Sequence, residues 1–253
     1  IMLPPVINIF EKAARKAGKA LLRDFGEIEN LQIETKGMGD FVTNADLKSE
    51  KIILETLTTY FPNATYISEE KGKIEGNEEI IIIDPIDGTT NFIHGIPIIG
   101  IVISKIINDE ITDGIVFNPI TNEFFWSSKG KGAWCNNRRL RVSKRYEFDK
   151  CLISTSFSKK DSNYDRKISI ADNCSGIRNM GSAALDLAYV ASGKIDGYFE
   201  KNLNLWDVSS GVLLVKEAGG KVTETSGKDW NIFSRDILAS NLLIHEIIKE
   251  NIL

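Results

Sequence analysis

The amino-acid sequence predicts an α+β protein built as a layered sandwich of helices and sheets. Amphipathic helical segments and short apolar strands occur partly in blocks and partly in alternation along the chain. Residues 80–83 are consecutive isoleucines, which is typical of a strand buried on both faces, because so short an apolar run has no helical period. Residues 98–127 contain apolar segments separated by Asn-Asp and Asn-Pro turns, a pattern typical of antiparallel strands.

Composition restricts the classes of protein that the chain can belong to. The length of 253 residues suits one compact unit of two subdomains. A net charge of -4 argues against a general nucleic-acid binder. Cys135, Cys151 and Cys174 are widely spaced, which argues against a zinc site or a disulfide framework. No apolar run has membrane-spanning length, and residues 3–10 lack the basic start of a signal peptide. We therefore expect a cytoplasmic protein without a membrane partner.

The first 40 residues predict a helix, a strand and a loop. Apolar residues recur every three or four positions over residues 6–25, which predicts an amphipathic helix that ends near Gly26. Residues 31–34 alternate between apolar and polar and are predicted as a half-buried strand. Residues 36–40 contain two glycines and are predicted as a loop. Such a loop is more often a hairpin turn than a lid over a site, and both interpretations stay open.

A second helix is predicted from Thr43, its candidate N-cap, to Tyr60. Asp46 then falls at the third helical position, where an acid is explained by capping or by the helix dipole. The residues predicted on the buried face of this helix are Leu47, Leu54 and Leu57.

Carboxylates follow the ends of two predicted strands. Glu69 and Glu70 come directly after the strand at residues 66–68, and Asp84 comes directly after the isoleucine strand. A pair of glutamates is usually solvated surface. If the two strands are neighbours in a sheet, however, their ends bring these carboxylates to one point.

The residues after the isoleucine strand carry hard oxygen ligands. Pro85 lacks a backbone donor and is predicted to end the strand. Asp84 and Asp87 are three residues apart, with the carbonyl group of Ile86 between them. Oxygen ligands of this kind are what a hard divalent cation prefers.

The next residues offer donors for an anion. Gly88 allows a tight turn, and Thr89 and Thr90 are predicted to open a helix, whose first N–H groups attract phosphate. A cation site beside a phosphate site suits magnesium-dependent phosphoryl chemistry. Asp-Pro-x-Asp-Gly is also common turn chemistry, so these residues alone favour neither interpretation strongly.

A division of the chain is predicted near residue 146, into residues 1–146 and residues 147–253. The first unit would be an α+β subdomain and the second an α/β subdomain. Residues 138–145 form a basic run, which we interpret as a solvated sheet edge, because Lys and Arg on an edge strand discourage aggregation. A contact with protein or RNA is the less common alternative.

The second half predicts strands and helices in alternation. Gly181-Ser182 precedes a helix that ends at Gly193, and Glu200 is placed at the end of a strand. Asp207 opens the following helix, where an acid is also explained by the helix dipole. The predicted strands are residues 151–156, 195–199, 221–225 and 237–240, and the last helix runs to residue 252.

Together these motifs resemble those of the inositol monophosphatase family. The resemblance rests on Asp84-Pro-Ile-Asp-Gly-Thr-Thr-Asn-Phe92, on Trp206-Asp-Val-Ser-Ser-Gly211 and on Glu217-Ala-Gly-Gly220. It extends to residues 42–46, 68–70 and 181–184, so that it covers nearly the whole chain. Residues 181–200 are most similar to the bacterial branch. The resemblance implies an αβαβα sandwich, magnesium-dependent hydrolysis of phosphomonoesters, sensitivity to lithium and a homodimer.

The resemblance also implies a set of metal ligands, transferred position by position. Mg²⁺ would be the cofactor, and Asp84 would bridge the first two ions. Glu69 would also hold a third, weaker ion through water. The implied ligands of the first ion are Glu69, Asp84, the Ile86 carbonyl and Thr89, and those of the second are Asp84, Asp87 and Asp207.

The remaining implied roles concern water and substrate. Asp46 and Thr89, beside the metal ligand Glu69, would orient or deprotonate the attacking water. The amides of Gly88 and Thr89 would bind the phosphate. The implied contacts to the alcohol part of the substrate are Ala183, Glu200 and Asp207. Asn204 stands where animal members carry a histidine, so the substrate contacts of those members do not transfer directly.

Competing families fit less well. A haloacid-dehalogenase phosphatase needs aspartates two residues apart, and position 85 is proline. Thr90 followed by Asn91 and Phe92 favours the inositol branch over nucleotide bisphosphatases, which usually carry Lys at the position of Thr90. Fructose-1,6-bisphosphatase or another sugar phosphatase of the superfamily remains an alternative. A regulatory protein that binds the transcription machinery is the second alternative, because some bacterial relatives do so.

Overall fold

The computed structural model describes residues 2–31, 38–156 and 164–252. The helices are α1 (Pro5–Leu31), α2 (Met38–Thr58), α3 (Thr89–Ile93), α4 (Tyr164–Asn173), α5 (Ala183–Ala191), α6 (Leu205–Glu217) and α7 (His245–Ile252). The strands of the first half are β1 (Thr65–Ser68), β2 (Gly72–Ile74), β3 (Ile80–Asp87), β4 (Gly100–Ile107), β5 (Glu110–Asn118), β6 (Glu123–Ser128), β7 (Gly132–Cys135) and β8 (Arg138–Arg139). Those of the second half are β9 (Leu152–Ser154), β10 (Gly176–Arg178), β11 (Gly197–Lys201), β12 (Lys221–Thr223) and β13 (Asp236–Ser240).

The strands form two sheets. The first has the order β2-β1-β3-β4-β5-β6-β7-β8, and the second has the order β10-β9-β11-β13-β12. In the first sheet only the β1–β3 pair is parallel, and the other neighbours are antiparallel. The parallel pair places the C-terminal ends of β1 and β3 side by side at one edge.

Helices cover both sheets and separate them. Helices α1 and α2 pack on one face of the first sheet, α5 and α6 lie between the two sheets, and α4 and α7 pack on the outer face of the second. This confirms the predicted α+β sandwich, with layers in the order αβαβα. Strand β3 shows why the isoleucine run is needed: Ile81 and Ile83 pack with α1 and α2, whereas Ile82 packs with α5 and α6.

The N-terminal elements differ from the sequence prediction. Helix α1 runs to Leu31, past Gly26, so the predicted end at Gly26 was wrong. Gly26 is exposed, and a glycine on the solvent side of a long helix costs only about 1 kcal/mol, which packing along the rest of the helix outweighs. Leu31 ends a helix instead of opening a strand, and residues 32–34 of the predicted strand lie outside the described residues.

Helix α2 also begins earlier than predicted. It starts at Met38, so Thr43 lies inside the helix and the prediction of Thr43 as an N-cap was wrong. The predicted loop is helical from residue 38 to residue 40, and its residues 36–37 lie outside the described residues. Leu54 and Leu57 are buried as predicted, but Leu47 is 41% exposed. The capping signal of Thr43 therefore does not determine where this helix begins.

Strand β3 does not end at Pro85, as the sequence predicted, but continues to Asp87. Its pairing with β4 shifts between Asp84, which faces Val102, and Asp87, which faces Gly100. Three steps on β3 therefore match two on β4, which is a β-bulge. A proline in a bulge removes no ladder hydrogen bond, so the strand tolerates Pro85.

The basic run lies where the chain leaves the first sheet. Strand β8 is exposed at the sheet edge, as predicted for Arg138 and Arg139. The chain reaches the second sheet at β9, and α5 and α6 contact both sheets. The division at residue 146 stays a prediction. No helix in the described part of the chain is both long enough and apolar enough to span a bilayer.

A buried aspartate anchors the segment that connects the two sheets. Asp196 is 1% exposed and accepts hydrogen bonds from the Ser143 hydroxyl, from Arg145 Nε at 2.8 Å and from the Leu152 amide at 2.8 Å. Asn241 Nδ2 donates to Ser143 Oγ at 2.8 Å and to the Arg145 carbonyl at 3.0 Å. Polar contacts to a buried carboxylate therefore hold the connection, in addition to the apolar packing of Leu140 and Val142.

We expect one of the two histidines to make stability depend on pH. His245 is 1% exposed, and its ring nitrogens lie 3.0 Å from Thr223 Oγ1 and 2.8 Å from Ser240 Oγ. Burial, together with the positive charge of Lys221, lowers the pKa of His245 to about 4. Because the folded pKa lies below the unfolded value, the neutral ring stabilises the fold above about pH 6.5, and this contribution is lost as the pH falls toward 4.

The measurement is the free energy of unfolding of wild type, His245→Gln and His94→Gln at several pH values. Between pH 7.5 and 5 the wild type should lose about 2 kcal/mol relative to His245→Gln. His94 is exposed, so His94→Gln should follow the wild type at every pH. Parallel pH curves for wild type and His245→Gln would contradict the prediction.

Candidate active site

Carboxylates from β1 and β3 meet at the edge formed by the parallel pair. Ser68 is opposite Ile83 in the register, and the amide of Glu69 donates to the Ile83 carbonyl at 3.3 Å. The carboxyl groups of Glu69 and Asp84 are close enough for each to influence the pKa of the other. The two strands are therefore neighbours, and their ends bring acids together as the sequence analysis expected.

The β-bulge fixes the orientation of Asp84. Asp84 is 1% exposed, and its Oδ1 accepts a hydrogen bond from the Ile86 amide at 3.0 Å. The carbonyl of Pro85 accepts from Ser49 Oγ at 3.1 Å, which ties the bulge to α2. The Ile86 carbonyl accepts from Thr89 Oγ1 at 3.1 Å. Two of the predicted oxygen ligands, the Asp84 carboxyl group and the Ile86 carbonyl, are thus held by local hydrogen bonds.

The N-terminus of α5 holds Asp87 from the other side. Asp87 Oδ2 accepts from Ser182 Oγ at 2.5 Å and from the Ala184 amide at 2.8 Å. Ser182 is the N-cap of α5, and its oxygen also accepts from the Leu185 amide. Sequence analysis gave Ser182 no role in the site, although a serine before an alanine-rich helix is an N-cap signal. Ala183, the first residue of α5, lies directly beside this contact.

Asp207 lies at the N-terminus of α6 and contributes to both the helix and the site. It forms a capping box with Asn204, whose amide donates to Asp207 Oδ2 at 2.6 Å. The charges of Glu69 and Asp84 nevertheless interact with that of Asp207, so the same carboxylate faces the acid cluster. The sequence explained Asp207 as an acid at a helix N-terminus. That explanation is correct for one of its oxygens, but it does not account for the interaction of the carboxyl group with the acid cluster.

Helix α2 contributes Asp46 and a second acid. Asp46 lies in the middle of the helix, which excludes the capping roles that the sequence allowed. It is 5% exposed, and its buried Oδ1 has no hydrogen-bond partner. Glu50, one turn later and fully buried, accepts from the amides of Glu70 and Lys71 at 3.0 and 3.4 Å. Sequence analysis missed Glu50; its spacing of four residues from Asp46 on a helix was the available signal.

The turn into α3 is shaped by a glycine. Gly88 has φ of 96°, and a Cβ there would lie 2.9 Å from the Ile98 carbonyl oxygen, so a side chain would be strained twice over. Asn91 Nδ2 donates to the carbonyls of Ile98 and Met180, both at 2.8 Å, and fastens α3 to the loop before α5. The first amides of α3, beginning at Thr89, have no acceptor within the helix, as is general for the first turn of a helix.

The acids raise one another's pKa. Burial, followed by the charges of Glu70, Glu69 and Glu50, raises the pKa of Asp46 to about 8. Burial raises the pKa of Asp87 to about 7, against the lowering effect of the bonds from Ser182 and Ala184. Burial and the neighbouring acids also raise the pKa of Asp84, Glu69 and Asp207.

Such a cluster of carboxylates is suited to bind a cation. The groups at its centre that could coordinate a metal are oxygens. The buried Asp46 Oδ1 has no hydrogen-bond partner, and burial together with neighbouring acids raises the pKa of Asp46 and Asp84, so a bound cation would favour their charged forms. Within the described residues, no three Asp, Glu, His or Cys side chains already stand as a ligand set for a metal ion. Asp87 and Asp207 each have one carboxylate oxygen hydrogen-bonded at the N-terminus of a helix. A cation would therefore bind their other oxygen, after rotation of the side chain.

Glu200 lies beside the cluster. Glu200 lies within β11, whereas the sequence predicted a strand that ends at residue 199. Its charge interacts with those of Asp207 and Asp186. Its Oε2 accepts a hydrogen bond from Tyr198 Oη at 2.8 Å. The structure thus brings the acids predicted for the metal, the acid predicted for the water and Glu200 into one region.

Comparisons with known proteins show which family the chain belongs to. The profile of the inositol monophosphatase family matches residues 2–253. An inositol-1-monophosphatase of Caulobacter vibrioides is 42% identical, with 95% of this chain and 98% of that protein covered. A protein named Nus factor SuhB from Escherichia coli K12 is 38% identical, with 94% and 91% covered.

Solved structures show the same similarity. The extragenic suppressor protein suhB of Bartonella henselae has a TM-score of 0.90 and 40% identity, with 98% of both chains covered. An IMPase of Thermotoga maritima has a TM-score of 0.85 and 35% identity, with 98% of this chain and 94% of that one covered. The chain belongs to the inositol monophosphatase family, because the family profile matches residues 2–253 and relatives are about 40% identical.

Proposed function

We propose that the chain is a magnesium-dependent phosphomonoesterase that hydrolyses myo-inositol 1-phosphate and related polyol phosphates by attack of an activated water. The observation that carries the proposal is the convergence of Asp46, Glu69, Asp84, Asp87 and Asp207 beside the first amides of α3. These acids come from α2, the ends of β1 and β3, and α6. An acid cluster next to an anion site suits a phosphate held by cations.

The residues that would hold the ions fit magnesium. Oxygen donors without nitrogen or sulfur are characteristic of Mg²⁺ sites. We assign Glu69, Asp84, Thr89 and the Ile86 carbonyl to one ion, and Asp84, Asp87 and Asp207 to another. When bound, Mg²⁺ lowers the pKa of a coordinated water and stabilises charge on the leaving oxygen. Hydrolysis of a phosphate monoester needs a barrier reduction of roughly 20 kcal/mol or more, and positioning with charge stabilisation can account for much of it.

The other residues of the site would bind the phosphate and move a proton. The amides of Gly88 and Thr89 would bind phosphate oxygens. Asp46 would accept a proton from the attacking water, directly or through the Thr89 hydroxyl, and its unpartnered Oδ1 supports this role. The Thr89 hydroxyl donates to the Ile86 carbonyl and would have to turn toward the water. No covalent intermediate is required.

A phosphatase assay over a panel of sugar and polyol phosphates tests the proposal. Purified protein should release phosphate from myo-inositol 1-phosphate with Mg²⁺ and should lose activity in chelator. Lithium should inhibit it. Absence of turnover on every member of the panel, with the protein folded, would contradict an enzymatic function.

Thr89→Ala is expected to lower kcat more than it raises KM. The hydroxyl would act on the water, which matters mainly in the transition state. Steady-state kinetics and circular dichroism of Thr89→Ala and Thr90→Ala check this, because both residues lie in the first turn of α3 and only Thr89 is assigned to the site. Unchanged kcat in folded Thr89→Ala would contradict the water-activating role.

Glu200→Gln is expected to reduce selectivity for polyol substrates. A carboxylate accepts hydrogen bonds from two adjacent hydroxyls, and bonds to charged acceptors are the stronger ones. The variant should lose about 1.5–3 kcal/mol in kcat/KM for myo-inositol 1-phosphate relative to p-nitrophenyl phosphate, which lacks those hydroxyls. An unchanged ratio of the two specificity constants would remove Glu200 from the substrate site.

Two alternatives keep support from particular observations. Fructose-1,6-bisphosphatase activity would use the same acid cluster, and the substrate panel includes that test. A regulatory contact with the transcription machinery is supported by relatives named Nus factor SuhB at 38–41% identity. We also infer a homodimer in the cytoplasm, in line with the family resemblance and with three unpaired cysteines.

A further inference from the structure

Tyr198 and Glu200 are linked behind the site described above. They are two residues apart on β11, so their side chains lie on the same face of the second sheet, toward the α5–α6 layer. Phe199, between them, points to the opposite face and packs with α4 and α7. Tyr198 is fully buried, whereas Glu200 is partly exposed beside Asp207. One strand thus carries an anchor in the core and a carboxylate in the site.

The hydrogen bond between the two side chains has a fixed direction. Burial raises the pKa of Tyr198 well above its ordinary value, and the charges of Glu200 and Asp186 raise it further. The phenol therefore stays protonated, and its O–H group donates a hydrogen bond to Glu200 Oε2 with an O···O distance of 2.8 Å. Among the described residues, Glu200 makes no other side-chain hydrogen bond, so Oε1 retains its full capacity to accept.

We propose that Tyr198 is a positioning residue, which holds the Glu200 carboxylate so that its second oxygen faces vicinal hydroxyls of a polyol leaving group. This inference rests on the proposed function. A glutamate side chain has several rotatable bonds, and holding one oxygen from a rigid core removes part of the entropy cost of binding substrate. The substrate class that it favours is phosphomonoesters of alcohols that carry two adjacent hydroxyl groups.

A purely structural role for Tyr198 would depend on its ring and not on its hydroxyl. The ring packs in the core between α5 and the second sheet. Tyr198→Phe keeps the ring and removes only the donor, so it separates the two roles. Tyr189→Phe is a matched control, because the Tyr189 hydroxyl also donates to a glutamate, Glu123 Oε2 at 3.3 Å, outside the site.

The experiment compares kcat/KM for myo-inositol 1-phosphate with kcat/KM for p-nitrophenyl phosphate. The proteins are wild type, Tyr198→Phe, Glu200→Gln, the double variant and Tyr189→Phe, each with Mg²⁺ and each checked by thermal unfolding. Tyr198→Phe should lower the ratio about fivefold to tenfold, as expected for loss of one hydrogen bond. The double variant should match Glu200→Gln, because Tyr198 acts only through Glu200. Tyr189→Phe should leave the ratio unchanged.

The outcomes separate failure of this inference from failure of the proposed function. An active wild type with an unchanged ratio in Tyr198→Phe, or with additive effects in the double variant, would overturn the positioning role alone. A folded wild type that hydrolyses neither substrate would overturn the proposed function and this inference with it. If Tyr198→Phe does not fold, Glu200→Asp tests the same contact. It keeps the negative charge and leaves Tyr198 in the core, but the shorter side chain moves the carboxylate away from the Tyr198 hydroxyl. Its ratio should fall, and an unchanged ratio would overturn the inference.

Discussion

Replacing Asp87 or Asp207 by asparagine is expected to lower kcat by at least ~100-fold while the protein remains folded. Each change removes one negative charge from a residue that we propose as a ligand of the second ion. The fold should survive, because an asparagine side-chain oxygen can still accept the hydrogen bond that Asp87 receives from Ser182 Oγ or that Asp207 receives from the backbone amide of Asn204. Steady-state kinetics at saturating Mg²⁺, with circular dichroism on the same samples, measure both quantities.

Asp113→Asn is the matched control for this experiment. Asp113 and Asp87 are each 9% exposed, but Asp113 bonds to Ser128 Oγ at 2.6 Å and lies outside the acid cluster. Its replacement should retain kcat. Full activity of either Asp87→Asn or Asp207→Asn, or of the wild type in chelator, would refute the two-metal assignment.

Asp196→Ala is expected to destabilise the protein by about 3 kcal/mol, because the donors that bond to this buried carboxylate lose their acceptor. The side chain of Asp196 is fully buried and that of Arg145 is 45% exposed, so Arg145 regains some hydration while the Leu152 amide loses its acceptor. Chemical unfolding monitored by circular dichroism gives the difference in free energy of unfolding.

Two further variants show whether burial is the cause. Asp196→Asn keeps an acceptor for the Leu152 amide and should cost less than alanine. Glu246 pairs with Lys221 and Lys249 at the surface, and Glu246→Gln should leave the melting temperature nearly unchanged. Equal destabilisation by Asp196→Ala and Glu246→Gln would contradict the assignment of Asp196 as a buried anchor.

Local patterns were sufficient for much of the architecture. The isoleucine strand, the antiparallel strands that follow it and the helices after Ser182 and Asn204 all have a period or a cap that is visible in the sequence. The approach of Glu69 to Asp84 followed from two strand ends and needed only that β1 and β3 be neighbours. These features depend on residues close together in the chain.

The failures have a common physical cause. Helix α1 continues past Gly26 to bury Ile28 in the core, and β3 passes through Pro85 because it pairs with β4 on both sides of the bulge. Ser182 and Glu50 were missed for the same reason, since each acts on a residue of another element. A cap signal or a proline indicates only a local preference for where a helix or strand begins or ends. Such a preference is worth about 1 kcal/mol, and tertiary contacts can outweigh it.

The position of α5 and α6 between the sheets has a consequence for the order in which the molecule folds. The inner face of the first sheet, including Ile82, Val102 and Val116, is covered by helices encoded after residue 182. During synthesis this apolar face is not fully covered until α6 has been completed at residue 217. The acid cluster, which needs Asp207, is completed at the same stage. Closing contacts across so much sequence is slow, so the nascent chain passes through a long interval in which chaperone binding or aggregation competes with folding.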